Sequence, residues 1–202
     1  LGGAINVKTF VIGDSTYAIV TAWTDDGVQI IDISDPTDIV AKGSMVDTGS
    51  LELDGARGVD VFTIGSSTYA IVAAWTDNGV QVIDISDVDN LVATDSLGDN
   101  GSLALKVSRN VETFTIDSST YAIVTSNVDD GVQIIDISDP ENIEAKGSMV
   151  DTDGTLKLDG ARDVATFVIG SSTYAIVTSQ NEGGVQIIDI SDVDNLVAKG
   201  SM

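Results

Sequence analysis

The arginines best suited to bind an anion recur at one period along the chain. Arg57, Arg109 and Arg162 lie 52 and 53 residues apart. A guanidinium group binds carboxylate or phosphate through paired hydrogen bonds, so three at equivalent positions would form an anion site. An ion pair with an aspartate of a neighbouring repeat is the alternative, because a partly buried arginine needs a partner. With so many aspartates nearby, we favour the ion pairs.

Two tryptophans mark one half of the chain only. Trp23 and Trp75 occupy a position that is amide in the other half, at Asn127 and Gln180. An indole combines apolar area with one N–H donor, so the pair could stack a sugar ring or contact a partner protein. Packing between repeats, with one tryptophan covering the other, explains the pair equally well.

A third group of residues is acidic and falls in turns. Carboxylates are hard oxygen ligands that suit Ca²⁺. The candidate metal ligands are Asp25, Asp26, Asp77, Asp129, Asp130, Asp151 and Asp153. The stretch DTDG from Asp151 begins like a calcium loop but lacks the full loop and its terminal glutamate. Asp-Gly pairs also form turns without metal, and we favour that interpretation. We therefore expect that the chain requires no cofactor. Ca²⁺ is the one cofactor that these carboxylates suit.

The residue types argue against catalysis. The chain has no histidine and no cysteine, which excludes histidine-based catalysis and thiolate metal sites. A glycosidase needs paired carboxylates. The aspartates that could supply them recur once in every repeat, at Asp32, Asp84, Asp136 and Asp189. A residue required once per repeat indicates a structural role, here as acceptor for the following turn. We predict that the protein is not an enzyme.

All these residues belong to a sequence repeat that occurs four times in the chain. The tyrosines recur in step, at Tyr17, Tyr69, Tyr121 and Tyr174. A fixed period of about fifty residues indicates a propeller or a solenoid. We divide the chain into copies 1–52, 53–104, 105–157 and 158–202.

Each copy is predicted to form four strands. In the second copy they are Ala56–Ile64, Thr68–Trp75, Val80–Ser86 and Leu91–Leu97. Asp-Gly and Asn-Gly pairs between them are typical of tight hairpins. The middle strands are apolar on both faces, and no helix is predicted that could cover them, so sheets must cover sheets. We therefore predict an all-β, four-bladed β-propeller, a single domain whose blades are four-stranded antiparallel sheets of about 52 residues.

The repeat also resembles a known family. The stretches YAIVTAWTDDGVQIIDISDP and ARGVDVFTIGSSTYAIV are similar to LVIVD-type propeller repeats. The resemblance covers all four copies and implies a propeller fold. It also implies an extracellular or cell-surface location, because such repeats mostly mark secreted or surface proteins. It leaves open a complete four-bladed ring or part of a larger one. Since each blade comes from contiguous sequence, we expect one domain closed by side-chain packing alone, the alternative being a ring open to another chain.

The charge and the asymmetry of the repeats lead to a prediction of function. The formal net charge of −23 repels nucleic acid and anionic membranes. No apolar stretch is long enough to insert in a membrane. Outer edge strands invite pairing, and unlike halves can associate head to tail. We predict a non-enzymatic extracellular structural or interaction protein, a self-assembling filament or lattice subunit. Its partners would be copies of itself, other surface proteins or glycans. A lectin-like ligand-binding module is the alternative, and a hydrolase comes third.

Overall fold

The computed structural model describes residues 1–202 and contains sixteen strands in four sheets. Blade 1 comprises β1 (Ala4–Ile12), β2 (Ser15–Ala22), β3 (Gly27–Asp32) and β4 (Val40–Val46). Blade 2 comprises β5 (Ala56–Ile64), β6 (Ser67–Ala74), β7 (Gly79–Asp84) and β8 (Val92–Gly98). Blade 3 comprises β9 (Ser108–Ile116), β10 (Ser119–Ser126), β11 (Gly131–Asp136) and β12 (Glu144–Val150). Blade 4 comprises β13 (Ala161–Ile169), β14 (Ser172–Ser179), β15 (Gly184–Asp189) and β16 (Val197–Ser201).

Every sheet is antiparallel, with its strands in chain order. The predicted all-β fold of four four-stranded propeller blades is confirmed, and the strand bounds in the second copy agree within two residues. No helix capable of spanning a membrane is present.

The tight turns form where the acidic pairs predicted them. Asp26, Asn78 and Asp130 adopt positive φ angles of 50°, 60° and 56° between the second and third strands of their blades. Aspartate and asparagine tolerate this left-handed conformation better than other non-glycine residues. Gly183 occupies the corresponding turn of blade 4, with a φ of 67°.

The core lies between blades, not within them. Each blade has a forward face, turned towards the next blade, and a back face, turned towards the preceding one. Between blades 1 and 2, for example, Ile19 and Ile30 of the forward face pack with Leu53, Val59 and Val72 of the back face. Equivalent clusters join blade 2 to blade 3 and blade 3 to blade 4. Sheets therefore cover sheets, as the doubly apolar strands predicted.

The two remaining faces do not meet. The back face of blade 1 leaves Leu1 and Val7 each 57% exposed, whereas the equivalent Leu53 and Val59 of blade 2 are 0% and 4% exposed. The forward face of blade 4 leaves Ile176 half-buried, although its equivalents in the other blades are fully buried. No core cluster joins these faces. The expectation of a closed domain is thus not met, because side-chain packing joins only three of the four junctions.

Candidate functional site

Each of the three arginines lies in an irregularity of the first strand of its blade. In blade 2, Ala56 pairs with Ala74 and Gly58 with Ala73, so Arg57 has no partner in the ladder. The pairing of β9 and of β13 is interrupted in the same way around Arg109 and Arg162. A bulge turns the extra residue away from the regular alternation of a strand and re-aims its side chain.

The arginines converge on one cavity of about 210 Å³. Its lining comes from the first strands of all four blades, which places it on the propeller axis. The lining residues are Ile5, Asn6, Arg57, Arg109, Asn110, Arg162 and Asp163. The structure therefore brings together the three arginines that the sequence singled out, with Ile5 at the equivalent position of blade 1.

The two tryptophans and two of the arginines pack together in one cluster. The Cζ of Arg57 lies 5.7 Å from the ring centroid of Trp23 and 4.8 Å from that of Trp75. The Cζ of Arg109 lies 4.3 Å from the Trp75 centroid, and the two indole centroids are 6.1 Å apart. A guanidinium over an indole face is attracted by the ring quadrupole and keeps its edge free to donate hydrogen bonds. The predicted packing of one tryptophan against the other is thus found in the structure, and their contact with a sugar ring or a partner protein stays a prediction.

None of the arginines has a carboxylate partner. The ion pairs of the structure involve lysines and the amino terminus only. Arg162 donates to the amide oxygen of Gln180 at 3.3 Å, and the buried Nε of Arg109 finds no acceptor in the protein. The favoured expectation of ion pairs with neighbouring aspartates is therefore wrong. The guanidinium groups instead line the axial cavity.

Burial and mutual repulsion lower the pKa of Arg57 and Arg109. Burial, followed by repulsion from Arg57 and Arg162, lowers the pKa of Arg109 to about 10. Burial, and then Arg162, also lowers the pKa of Arg57. Three guanidinium groups and a single carboxyl group, that of Asp163, line the cavity, which is therefore a basic site within a strongly acidic protein. An anion bound there would relieve the repulsion.

Polar side chains close the axis beside the arginines. Asn6 donates to Asn110 at 3.5 Å across the ring, and Asn110 donates to Asp163 of blade 4. Gly58 takes the equivalent position in blade 2, where a Cβ would come within 2.6 Å of the Asn110 backbone. Glycine is required there because the backbones of neighbouring first strands approach so closely.

Two further carboxyl groups, those of Asp60 and Glu112, lie on the first strands two residues after Gly58 and Asn110. Asp60 is 2% exposed, and its Oδ1 lies 2.6 Å from the Nζ of Lys8. Its Oδ2 accepts from the backbone and hydroxyl of Thr113, at 2.7 and 2.8 Å. Burial, and then Asp60, raises the pKa of the neighbouring Glu112. Sequence reasoning missed this pair because Asp60 and Glu112 belong to different blades and occur in one copy each.

The acidic turn residues act as hydrogen-bond acceptors for backbone amides. Asp26 accepts from Gly55 at 3.0 Å and Asp130 from Gly160 at 2.8 Å, in both cases across a blade junction. The other five candidates accept from amides nearby, as follows: Asp25 from Gly2, Asp77 from Asp54, Asp129 from Lys106, Asp151 from Gly154 and Asp153 from Thr155. No three acidic groups converge as a metal site. Calcium binding by these residues stays a prediction.

The aspartate repeated in every DIS motif is structural, as predicted. The backbone N–H two residues later donates to its Oδ1 at 2.8 to 3.1 Å in all four blades. The acceptors are Asp32, Asp84, Asp136 and Asp189.

A family model of the LVIVD repeat matches four segments of the chain, residues 11–48, 65–96, 119–152 and 161–202. The chain belongs to the LVIVD-repeat family. The resemblance noted in the sequence is thereby confirmed. Among curated protein sequences, none matches this LVIVD-repeat chain.

Solved structures share the fold of this LVIVD-repeat chain at low identity. An exo-β-1,3-galactanase from Phanerochaete chrysosporium, with β-1,3-galactotriose, is 9% identical with a TM-score of 0.65, over 98% of this chain and 49% of that one. A protein from Lactobacillus plantarum is 12% identical with a TM-score of 0.67, over 92% and 54%. A family 117 glycoside hydrolase from Zobellia galactanivorans is 8% identical with a TM-score of 0.63, over 98% and 69%. The chain thus spans about half the length of the first two.

These comparisons overturn the functional prediction made from sequence. We predicted a non-enzymatic, self-assembling structural subunit, but the folds that resemble the LVIVD-repeat chain include several glycoside hydrolases. At identities of 8 to 12% the likeness establishes the fold alone. The prediction of a self-assembling subunit is therefore wrong, whereas the prediction that the protein is not an enzyme stays a prediction. The basis for a function must be the site itself.

Proposed function

We propose that this chain is a binding protein for a small oxyanion, carboxylate or phosphate, held on the propeller axis by Arg57, Arg109 and Arg162. The observation that carries the proposal is that three arginines line one cavity and none has a carboxylate partner. Guanidinium groups are the side chains best matched to oxyanions, because they offer parallel N–H donors in a fixed plane.

The surroundings of the cavity favour a ligand with more than one negative charge. Three cationic groups share a space of about 210 Å³, and Asp163 supplies one carboxylate at its edge. A monovalent ion would leave most of the arginine repulsion in place, whereas a di- or trivalent anion would offset it. Trp23 and Trp75 hold the guanidinium groups of Arg57 and Arg109 in place before the ligand arrives, which lowers the entropy lost on binding.

Tryptophan fluorescence provides the test, because the two tryptophans of the chain both contact the arginines. The purified chain is titrated with citrate and with inorganic phosphate at constant ionic strength, sodium chloride making up the balance. We expect a saturable change in emission with citrate or phosphate and none with chloride alone. A linear or absent response to both probes would contradict the proposal.

A matched pair of variants separates the site from general electrostatics. Arg162→Ala removes one guanidinium from the cavity, whereas Lys42→Ala removes one positive charge from the outer strand β4. Both variants change the net charge equally. We expect Arg162→Ala to weaken citrate binding and Lys42→Ala to leave it unchanged. Equal losses would mean that the anion responds to net charge, not to the cavity.

Hydrolysis of a glycosidic bond is a second candidate function. The observation that favours it is the carboxyl pair on the axis: Asp60 paired with Lys8, and Glu112 with its raised pKa. Most glycosidases use two carboxyl groups whose different environments separate their pKa values. Glycoside hydrolases such as the exo-β-1,3-galactanase also share the fold. The arginine cavity does not include either residue in its lining, so we rank hydrolysis second.

A turnover screen decides on this second candidate. The chain is incubated with chromogenic aryl glycosides, and Glu112→Gln is the matched variant, since it removes the acid with little change in shape. Release of the chromophore by the parent chain and its loss in Glu112→Gln would support hydrolysis. Equal rates in both proteins, or none, would remove the carboxyl pair from consideration.

A further inference from the structure

The uncovered forward face of blade 4 repeats the faces that other blades bury. Ile176, Val185 and Ile187 are half-buried there, whereas the equivalent Ile19, Val28 and Ile30 of blade 1 are 0 to 2% exposed. Burial differs because the forward faces of blades 1, 2 and 3 are each covered by the following blade, whereas that of blade 4 is not. Blade 4 thus presents the apolar half of a junction that the same chain completes three times.

A threonine hydroxyl of blade 4 also lacks the interblade hydrogen bond that its equivalents make in blades 1 and 3. Thr21 of blade 1 donates its hydroxyl to the Arg57 carbonyl of blade 2 at 2.6 Å, and Thr125 of blade 3 donates to the Arg162 carbonyl of blade 4 at 3.0 Å. Thr178 holds the equivalent position in blade 4. Thr178 is exposed, and its hydroxyl contacts only Asp163 of its own blade: it accepts from the backbone N–H at 3.1 Å and donates to the carbonyl at 3.5 Å.

The outer strand of blade 4 specifies which kind of blade would fit. Gly43 and Gly147, in β4 and β12, each donate at 2.8 Å to a valine carbonyl in a turn of the next blade, Val88 and Val193. A Cβ at Gly147 would come within 2.7 Å of that carbonyl, so the glycine makes room for the turn. Gly200 repeats this glycine in β16, but a Cβ added there would meet no atom within 4 Å, so no turn fills the space beside it.

Blade 1 does not carry the turn that Gly200 matches. The stretch SDVDN contains the valine turn in blades 2 and 4, whereas blade 1 has Pro36 and Thr37 in its place. Blades of the proline type accept a different contact: Asp95 of blade 2 accepts from the Ile143 N–H of blade 3 at 2.8 Å. Blade 1 has the equivalent Ile39, which is 61% exposed. A blade like blade 2 therefore matches both open faces, with its valine turn on Gly200 and its aspartate on Ile39.

We propose that the gap between blade 4 and blade 1 receives one further blade of the same repeat, of the blade 2 type, which completes the ring. The occupant is a single blade because the axis is already narrow. Asn6 of blade 1 reaches Asn110 of blade 3, and one small cavity is lined by all four first strands. A complete second copy docked on blade 4 would bring its other three blades against blade 1 of the first.

The test appends a fifth repeat to the full chain. Residues 46–97, the linker and strands of blade 2, follow Met202, which aligns with Met45. Hydrogen exchange is then measured by mass spectrometry on peptides from β1, β2, β14 and β15. We expect amides of both terminal blades to exchange at least about tenfold more slowly in the fused chain, because closure covers both faces.

Two matched fusions control for the added mass. One carries Val59→Asp and Val72→Asp in the appended copy, which puts charges on its back face. The other appends residues 98–149, a blade of the proline type. We expect neither to protect both faces. Equal protection by all three fusions, or protection of blade 4 without blade 1, would overturn the proposal.

The unfused chain supplies the remaining outcomes. Sedimentation should give a monomer of about 21 kDa, in line with the 20.9 kDa chain, with rapid exchange at both open faces. A dimer whose open faces are protected would show that a second copy is the occupant. A protected monomer would show that blades 4 and 1 meet by themselves. Either result would overturn the insertion of a fifth blade.

Discussion

The guanidinium of Arg109 lies over the indole of Trp75, with 4.3 Å between its Cζ and the ring centroid, and its buried Nε finds no acceptor in the protein. Cation–π attraction keeps the charge in place without neutralising it. The arrangement leaves a desolvated hydrogen-bond donor beside the axial cavity. A buried donor without a partner is costly, so an anion that accepts from it gains an interaction that water or a flexible side chain would otherwise have to supply.

Trp75 should matter more for anion binding than Trp23. Trp75 contacts both Arg57 and Arg109, whereas Trp23 contacts Arg57 alone and is 44% exposed. We expect Trp75→Ala to weaken citrate binding by about tenfold, or about 1.4 kcal/mol, and Trp23→Ala by less. Isothermal titration calorimetry of the two variants measures the difference. A larger loss in Trp23→Ala would mean that the exposed indole itself contacts the ligand.

The blade junctions can be compared by a matched pair of core truncations. Phe62 is 6% exposed in the junction of blades 2 and 3, whereas the equivalent Phe167 lies half-buried on the open face of blade 4. We expect Phe62→Ala to cost about 3–5 kcal/mol of unfolding free energy, as truncation of a core aromatic does. Phe167→Ala should cost about 1–2 kcal/mol, because less area leaves water. Urea unfolding of both variants gives the values, and equal losses would mean that the face of blade 4 is covered.

Much of the fold follows from the sequence because it is local and repeated. The period, the Asp-Gly turns and the doubly apolar strands each report on one blade, and all are found in the structure. The open ring does not follow. Leu1 and Val7 have the same chemistry as Leu53 and Val59, so any pattern predicts burial for both pairs, whereas the structure exposes the first pair alone.

The candidate site could be predicted in part. Arginine recurs at the same position of three repeats, and the structure brings these three residues together in one cavity. Their stacking with Trp23 and Trp75 was missed, because it depends on how successive blades are placed around the axis. One signal was available in the sequence: the predicted strands Ala56–Ile64 and Thr68–Trp75 form a hairpin, which places Arg57 and Trp75 at the same end of it.

Glu52 should make stability depend on pH. Burial, followed by Asp77 and Asp47, raises the pKa of Glu52 above its usual value of 4.5, and its Oε2 has no hydrogen-bond partner. In the linker before blade 4, the equivalent Lys157 instead pairs with Glu182 at 3.3 Å. A raised pKa means that protonated Glu52 favours folding. This contribution is complete below pH 4.5 and is lost as the pH rises through the folded-state pKa.

Glu52→Gln should therefore stabilise the protein at about pH 7, and its advantage should disappear near pH 4. Exposed Glu141→Gln is the matched control, and we expect it to change stability little at either pH. Urea unfolding at the two pH values checks this. If Glu52→Gln destabilises the protein at neutral pH, the unpaired carboxylate is not the strained group that its surroundings indicate.

Salt should stabilise this chain. A formal net charge of −23 repels itself, and mobile ions screen that repulsion. We expect the melting temperature to rise with sodium chloride. Calcium binding by the acidic turns predicts a further rise in millimolar Ca²⁺ over Mg²⁺ at equal ionic strength. Identical melting temperatures in the two cations would contradict calcium binding and leave the aspartates as acceptors of turn amides.

Nuclear magnetic resonance of the arginine side chains tests the anion site most directly. The Nε–H signals of Arg57, Arg109 and Arg162 are followed while inorganic phosphate is added at constant ionic strength. The Nε of Arg109 has no acceptor in the protein, so an anion in the cavity should shift its signal saturably, together with that of Arg57. If phosphate and citrate both leave the Arg109 signal unchanged, the three arginines do not form an anion site.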